Sequence, residues 1–118
     1  MYGGYPRRVS DAGVEEITLR LSAASLAAAV AGPVLLALGA RAELRLQALD
    51  ELAAAVELVV GAALPGQVTI RARRDGGRLA VSVTPIDPGR LRSRRPLLAG
   101  LAPEVVVEGP AADLIVDA

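Results

Sequence analysis

Aliphatic residues alternate with polar ones on both sides of a glycine turn, and this pattern constrains the fold most strongly. They occupy every second position from 68 to 72 and again from 79 to 83, with Asp75-Gly76-Gly77 between the two runs. A period of two is typical of a half-buried strand, and Asp-Gly favours a tight reversal of the chain. The sequence therefore predicts a β-hairpin with one aliphatic face turned towards a core.

No charged residue occurs between Arg20 and Arg41, a length that could span a bilayer as a helix. Three features favour a buried helix over a membrane span or an export signal. The stretch is rich in Ala, Ser and Gly, Gly32-Pro33 interrupts its centre, and acidic residues precede it where a signal peptide is basic. Residues 16–21 alternate as a strand does, so the stretch follows a strand.

We expect this helix to begin at Ser22 as its cap and to run to about Leu38, with Gly39 ending it. Pro33 should kink the helix or split it in two, because proline cannot donate the helical hydrogen bond. One stripe of the helix is expected to face the sheet. Its members are Leu26, Val30, Val34 and Leu38.

A second amphipathic helix is predicted from about Glu43 to Ala63. After the hairpin, the Arg-rich stretch 87–95 is expected to be a solvated loop leading to a short helix in PLLAGLAP, and two strand candidates, EVVVEG and ADLIVDA, follow. The order β-α-α-β-β-α-β-β predicts an α/β chain of the α+β two-layer type, with a mixed sheet and helices on one face. Residues 1–13 are expected to be a flexible tail, and 14–118 a single domain.

Composition restricts the available chemistry. The chain contains no Cys and no His, which excludes disulfides, thiolate and imidazole metal sites and Ser–His triads. Thirteen basic residues balance thirteen acidic ones, and the only aromatic residues are two tyrosines near the N-terminus. Neither feature favours a nucleic-acid partner or an anionic membrane.

Three segments, in this order, resemble the ATP-binding domain of anti-sigma factor serine kinases, which belong to the histidine kinase-like ATPase superfamily. LDELAAAVELVVGAA is similar to the helix that projects a Glu and an Asn into the ATP pocket, and LLAGLAPEVVVEG and EVVVEGPAADLIVDA are similar to the closing elements. The resemblance covers about residues 15–117. It implies the same fold, a homodimer, and a sigma factor or an anti-anti-sigma domain as partner.

The resemblance also locates the positions that would bind nucleotide. Glu57 occupies the position of the family's catalytic carboxylate, whereas Gly61 replaces the Asn that would hold Mg²⁺. Counting from Leu79 puts Pro85 at the Asp that would bind adenine, with Asp87 and Gly89 at the glycines after it. A shift of two residues would instead start the adenine loop at Asp87, although Arg90 would then stand where glycine is wanted.

An Arg-rich segment replaces the glycine-rich phosphate loop of the family, and its side chains would obstruct a close backbone approach to phosphate. Its members, Arg90, Arg92, Arg94 and Arg95, are either a solvated surface or a contact for an acidic partner. Glu57 is by default a solvated carboxylate, and Gly61 is expected to permit a close approach of helix and sheet.

These observations favour a cytoplasmic, non-catalytic regulatory module that binds a protein and needs no ATP, Mg²⁺ or other cofactor. Two alternatives stay open. One is an active ATP-dependent serine kinase that uses Glu57 and Asp87, and the other is an assembly protein whose Ala- and Leu-rich helices form the interface.

Overall fold

The computed structural model describes residues 14–21 and 24–118, and side chains in α1 from Ala31 onward together with that of Ala29. The expected tail and the expected cap at Ser22 lie outside these residues. The described residues form five strands and three helices in the predicted order. They are β1 (Val14–Leu21), α1 (Ala24–Arg41), α2 (Leu46–Val60), β2 (Val68–Asp75), β3 (Arg78–Thr84), α3 (Pro88–Leu98), β4 (Glu104–Glu108) and β5 (Ala111–Asp117).

The strands form one sheet in the order β1-β2-β3-β5-β4, and every pairing is antiparallel. The α+β class and the element order are thus confirmed, although the sheet is antiparallel where a mixed one was expected. The helical hairpin α1–α2 brings the chain back to the end of the sheet where β1 stopped, so β2 runs opposite to β1. The crossover through α3 connects β3 and β4, which run in the same direction and are not adjacent. β5 lies between them and runs in the opposite direction.

The core lies between the helices and one face of the sheet. The inward residues of the β2–β3 hairpin are buried as predicted, and Leu114 and Val116 of β5 lie beside them in register. In α2, Leu52 and Val59 are fully buried, which confirms the predicted face of this helix. The buried aliphatic residues form one cluster, to which α1, α2 and α3 all contribute.

α1 departs from the sequence prediction in its extent and its buried stripe. The helix continues unbroken through Pro33 and Gly39 to Arg41, so proline does not split it. Leu38 is buried as expected, but Val34 is only half-buried, and Ala31 and Leu35 are the residues that reach the core with Leu38. Leu26 and Val30 lie outside the described side chains.

Gly39 lies inside α1 because α2 crosses there, and it does not end the helix as expected. A Cβ atom at Gly39 would overlap the Leu49 Cδ2 atom of α2 and lie 3.1 Å from Leu49 Cγ. The helix ends two residues later at Arg41, and Glu43 just beyond it has a left-handed φ of 60°. The Glu43 and Leu44 amides donate to the carbonyls of Ala40 and Gly39, the pattern of a Schellman motif.

One ion cluster closes the end of the sheet between β1, β2 and α1. Glu15 of β1 is the register partner of Arg74 of β2, whose side chain is turned inward and only 8% exposed. Arg74 Nε donates to Glu15 Oε1 over 2.7 Å, and Arg41 of α1 bonds to the other carboxylate oxygen. The hydrogen bond from Arg74, with the Arg41 and Arg74 charges, holds the pKa of Glu15 below its ordinary value despite partial desolvation.

α3 differs most from expectation. The Arg-rich stretch forms the helix itself, and of PLLAGLAP only residues 96–98 are helical. Asp87 caps the helix by accepting a hydrogen bond from the Gly89 amide over 2.9 Å, and Pro88 occupies its first turn. No helix in the described ranges is long and apolar enough to cross a membrane.

Candidate functional site

The outward side of α2 carries an open apolar depression, which we call the α2 groove. Its first part, about 370 Å³, lies between α1 and α2, and its second, about 450 Å³, is bounded by α2, α3 and the residues after α3. The two parts share Ala54 and Glu57. The remaining lining residues are Ala31, Gly32, Leu35, Asp50, Ala53 and Val56 in the first part, and Leu58, Leu97 and Leu101 in the second.

α2 produces this surface because its outward face is built from small residues. Ala53 and Ala54 leave the helix surface low, while leucines of α3 and its C-terminal extension form a wall. Leu97 is 63% exposed, although a leucine side chain gains free energy by leaving water. The groove therefore presents apolar surface that the described fold leaves uncovered.

Two carboxylates accompany the apolar surface. Asp50 and Glu57 are both exposed and both line the first part of the groove, two helical turns apart on α2. Asp50 was not singled out by the sequence, although its spacing of seven residues from Glu57 places it on the same helix face. Such a surface suits a ligand that combines apolar side chains with positive charge.

At Gly61 the space that a side chain would enter is filled by α3, whereas the sheet was expected there from the sequence. A Cβ atom there would lie 2.8 Å from Arg94 Nη1, 3.1 Å from Arg94 Cζ and 3.3 Å from Arg94 Nη2. The guanidinium of half-buried Arg94 thus lies against the backbone of α2. It occupies the space into which a longer side chain at position 61 would project.

Pro85 and Asp87 connect elements of the fold. The Pro85 carbonyl accepts a hydrogen bond from the Leu64 amide over 3.0 Å, and the Asp87 amide donates to the Ala62 carbonyl over 2.8 Å. The Asp87 carboxylate caps α3 through Gly89 and approaches Arg90 Nε at 3.9 Å. The positions that the resemblance assigns to nucleotide beside Glu57 are Gly61, Pro85, Asp87 and Gly89. None of them lines the α2 groove with Glu57.

The four arginines fall on different sides of α3, where a solvated loop was expected. Arg90 and Arg94 turn towards α2, and Arg90 Nη1 donates to the Ala63 carbonyl at 3.5 Å. Arg92 and Arg95 are exposed on another side and line a depression of about 190 Å³ that includes Val107 of β4. Helical periodicity produces this division, since residues three or four apart share a face.

A metal centre of acidic side chains is not formed within residues 14–21 and 24–118, where no three such side chains cluster closely enough to hold an ion. The sequence also missed the groove wall, Leu97 and Leu101. The signal was the run of leucines in PLLAGLAP, for which the sequence predicted only a short helix.

Comparisons with known proteins give no relative from which a role could be transferred. Neither the scan against models of protein families nor the search of curated proteins found a match.

Proposed function

We propose that this chain is a non-catalytic regulatory module that binds a protein partner through the α2 groove. The observation that carries the proposal is the pairing of uncovered leucine and alanine surface with the carboxylates of Asp50 and Glu57. An amphipathic helix with basic residues beside its apolar stripe has the complementary chemistry. Leu97 and Leu101 would contact the apolar stripe, and the two carboxylates would fix its orientation.

The environment of Gly61 supports binding over catalysis. The Asn that the resemblance places here would hold Mg²⁺, but glycine offers no oxygen ligand and the Arg94 cation lies against it. Repulsion between a guanidinium and Mg²⁺ disfavours a metal–nucleotide complex at this point. The hydrogen bonds of Asp87 are likewise directed to α2 and α3, where they hold the fold together.

The resemblance to anti-sigma factor kinases supplies the class of partner. A sigma factor or an anti-anti-sigma domain in the cytoplasm would be bound in a partner-switching system that regulates transcription. The exposed Arg92 and Arg95 would then meet acidic residues at the margin of that complex. As a homodimer, the assembly would present two α2 grooves.

Calorimetry with ATP and Mg²⁺ tests the non-catalytic part of the proposal. At micromolar protein concentration we expect no saturable heat of ATP binding. The Gly61→Asn variant should not gain ATP binding either, because the Asn side chain would meet Arg94. Micromolar ATP affinity of the unaltered chain would instead support an active serine kinase. Phosphate transfer to a partner serine would establish that activity.

Co-purification from the native host, with identification of the bound protein, tests the groove. Leu97→Asp should abolish the complex while leaving the fold intact, because Leu97 is exposed and lies in the groove. Leu46→Asp is the matched control, since Leu46 is 69% exposed on α2 but does not line the groove. Equal recovery of the partner with both variants would contradict the proposal.

A further inference from the structure

β4 is an edge strand whose outer edge has no neighbouring strand within the described residues. The sheet order places β5 on one side of β4, and no described strand lies on the other side. The middle of β4 is the run Val105–Val107, which contains no proline or lysine, and its register with β5 has no bulge. These are devices that commonly protect an exposed edge, so the edge of β4 can accept another strand.

The register of β4 and β5 determines which backbone groups point to this edge. Glu108 and Ala111 are register partners on either side of a two-residue turn, and residues in this position exchange hydrogen bonds. Hydrogen-bonded pairs alternate with non-hydrogen-bonded pairs along an antiparallel ladder, so Val106 also bonds to β5, whereas Val105 and Val107 do not. The amides and carbonyls of Val105 and Val107 therefore point away from β5, towards the open edge.

The same two valines line two shallow depressions between β4 and α3. Val107 lies in the first, of about 190 Å³, and Val105 lies in the second, of about 180 Å³, while Arg95 borders both. A residue added opposite each valine would direct its side chain to the same side of the sheet, where the depressions lie. The depressions thus match alternate side chains of an added strand, which are about 7 Å apart.

The charges differ between the two sides of β4. On the side of the depressions, Arg92 and Arg95 are exposed, and neither makes an ion pair or a side-chain hydrogen bond with a described residue. On the opposite side, β4 carries Glu104 and Glu108. An added strand is therefore attracted when its carboxylates face α3 and repelled when they face the other way.

We propose that the edge of β4 binds an extended segment of another protein that has acidic residues at alternate positions. Main-chain hydrogen bonds to Val105 and Val107 would hold the segment in register, and its carboxylates would pair with Arg92 and Arg95. Glutamate suits these positions, because its methylene groups would lie against the valines while its carboxylate meets a guanidinium. One face of the segment thus makes both kinds of contact.

Two other occupants lack the required charge. Residues 1–13 contain a single acidic residue, Asp11, together with Arg7 and Arg8. A second copy of β4 would bring valines and two further arginines to the depressions, so like charges would meet. None of the residues that line these depressions lines the α2 groove, so the inference does not depend on the proposed function.

Two capped peptides of equal composition test the proposal by NMR titration of the full chain at low salt. In Thr-Thr-Glu-Thr-Glu-Thr-Thr both carboxylates can face α3, whereas in Thr-Thr-Thr-Glu-Glu-Thr-Thr one of them must face Glu104 or Glu108. The alternating peptide should bind with a Kd of roughly 0.1–1 mM, because a short segment loses conformational freedom when it binds. The peptide with adjacent glutamates should bind roughly fivefold more weakly.

Amide hydrogen exchange distinguishes an added strand from a surface ion pair. Binding of the alternating peptide should slow exchange at the Val105 and Val107 amides, which gain hydrogen bonds. The Val106 amide already bonds to β5, so its exchange rate should change little. An anion that only pairs with the arginines would leave all three rates unchanged.

Four variants separate this edge from the rest of the surface. Arg92→Glu and Arg95→Glu should each weaken binding of the alternating peptide roughly tenfold, because attraction becomes repulsion. Arg45→Glu, the same change at an exposed position before α2, is the matched control and should bind normally. Val107→Pro should abolish binding, because it removes a donor that points away from β5 and blocks the edge.

The α2 groove and the β4 edge can be tested separately. Leu97→Asp alters the groove and should retain peptide binding, so a failure of one site is distinguishable from a failure of the other. Circular dichroism of each variant confirms that it is folded. If Val107→Pro unfolds, the two arginine variants decide the outcome, since both change exposed side chains.

Four results would overturn the proposal. They are no binding of either peptide at millimolar concentration, equal binding of both peptides, unchanged exchange of the valine amides when the peptide is bound, and displacement of the peptide by an equal concentration of inorganic phosphate. The last result would identify Arg92 and Arg95 as a phosphate site instead.

Discussion

Replacing Gly39 with alanine tests the crossing of α1 and α2 directly. The added methyl group would overlap Leu49 Cδ2, and Leu49 is buried and cannot turn away into solvent. Forcing an extra carbon into a packed site costs about 1–3 kcal/mol, while the higher helix propensity of alanine returns about 1 kcal/mol. We expect a net loss of up to about 2 kcal/mol in the free energy of unfolding, although the same substitution stabilises an ordinary helix.

Urea denaturation followed by far-ultraviolet circular dichroism is the suitable assay, because the chain has no tryptophan and its two tyrosines are at positions 2 and 5. Ala37→Gly, at an exposed position of the same helix, measures the local propensity difference. In a Leu49→Ala background the clash disappears, so Gly39→Ala should become stabilising by about 1 kcal/mol. A stabilising effect in the unaltered background as well would refute the close crossing of the two helices.

The remaining predictions concern the helix end, the ion cluster and the core. Glu43→Gly should raise the melting temperature by several degrees, because glycine adopts a φ of 60° without the strain of about 1 kcal/mol that a side chain adds, whereas Glu43→Ala should not. Folding lowers the pKa of Glu15, so ionised Glu15 stabilises the fold above about pH 4.3, its unfolded pKa, and this stabilisation is lost as pH falls through the folded pKa. The urea midpoint of the Glu15→Gln variant should therefore decrease less between neutral and acid pH. Leu38→Asp should unfold the domain by circular dichroism at a cost of several kcal/mol, whereas Leu36→Asp, 51% exposed on the same helix, should remain folded.

Local periodicity was sufficient to predict the strands and the order of elements. The β2–β3 hairpin and the buried face of α2 follow from alternation and helical spacing, which depend on residues close in sequence. The alanine-rich α1 has no strong apolar stripe, so its rotation about its own axis is decided by the crossing with α2, which local sequence does not encode. The same holds for its end, because glycine at position 39 signals both a helix stop and a close helix contact.

The candidate site was less predictable. The arginines of α3 looked like a loop because Pro88, Gly89 and Pro96 have low helix propensity, yet the Asp87 cap and burial of Leu91 and Leu98 outweigh it. The contact between Arg94 and Gly61 joins residues that are 33 positions apart, so no local sequence pattern predicts it. Glu57 was singled out from the sequence, but Leu97 and Leu101 beside it in the groove were not.

The place of β5 in the sheet has a consequence for synthesis on the ribosome. β4 has β5 as its neighbour within the described sheet, and β5 also completes the pairing of β3. A nascent chain that has emerged only as far as residue 110 can form the β2–β3 hairpin and the helices but leaves β4 without a hydrogen-bonding neighbour. β4 therefore cannot join the sheet until residues 111–117 are available, and a translation product truncated before them would leave the edge of β3 open to strands of other chains.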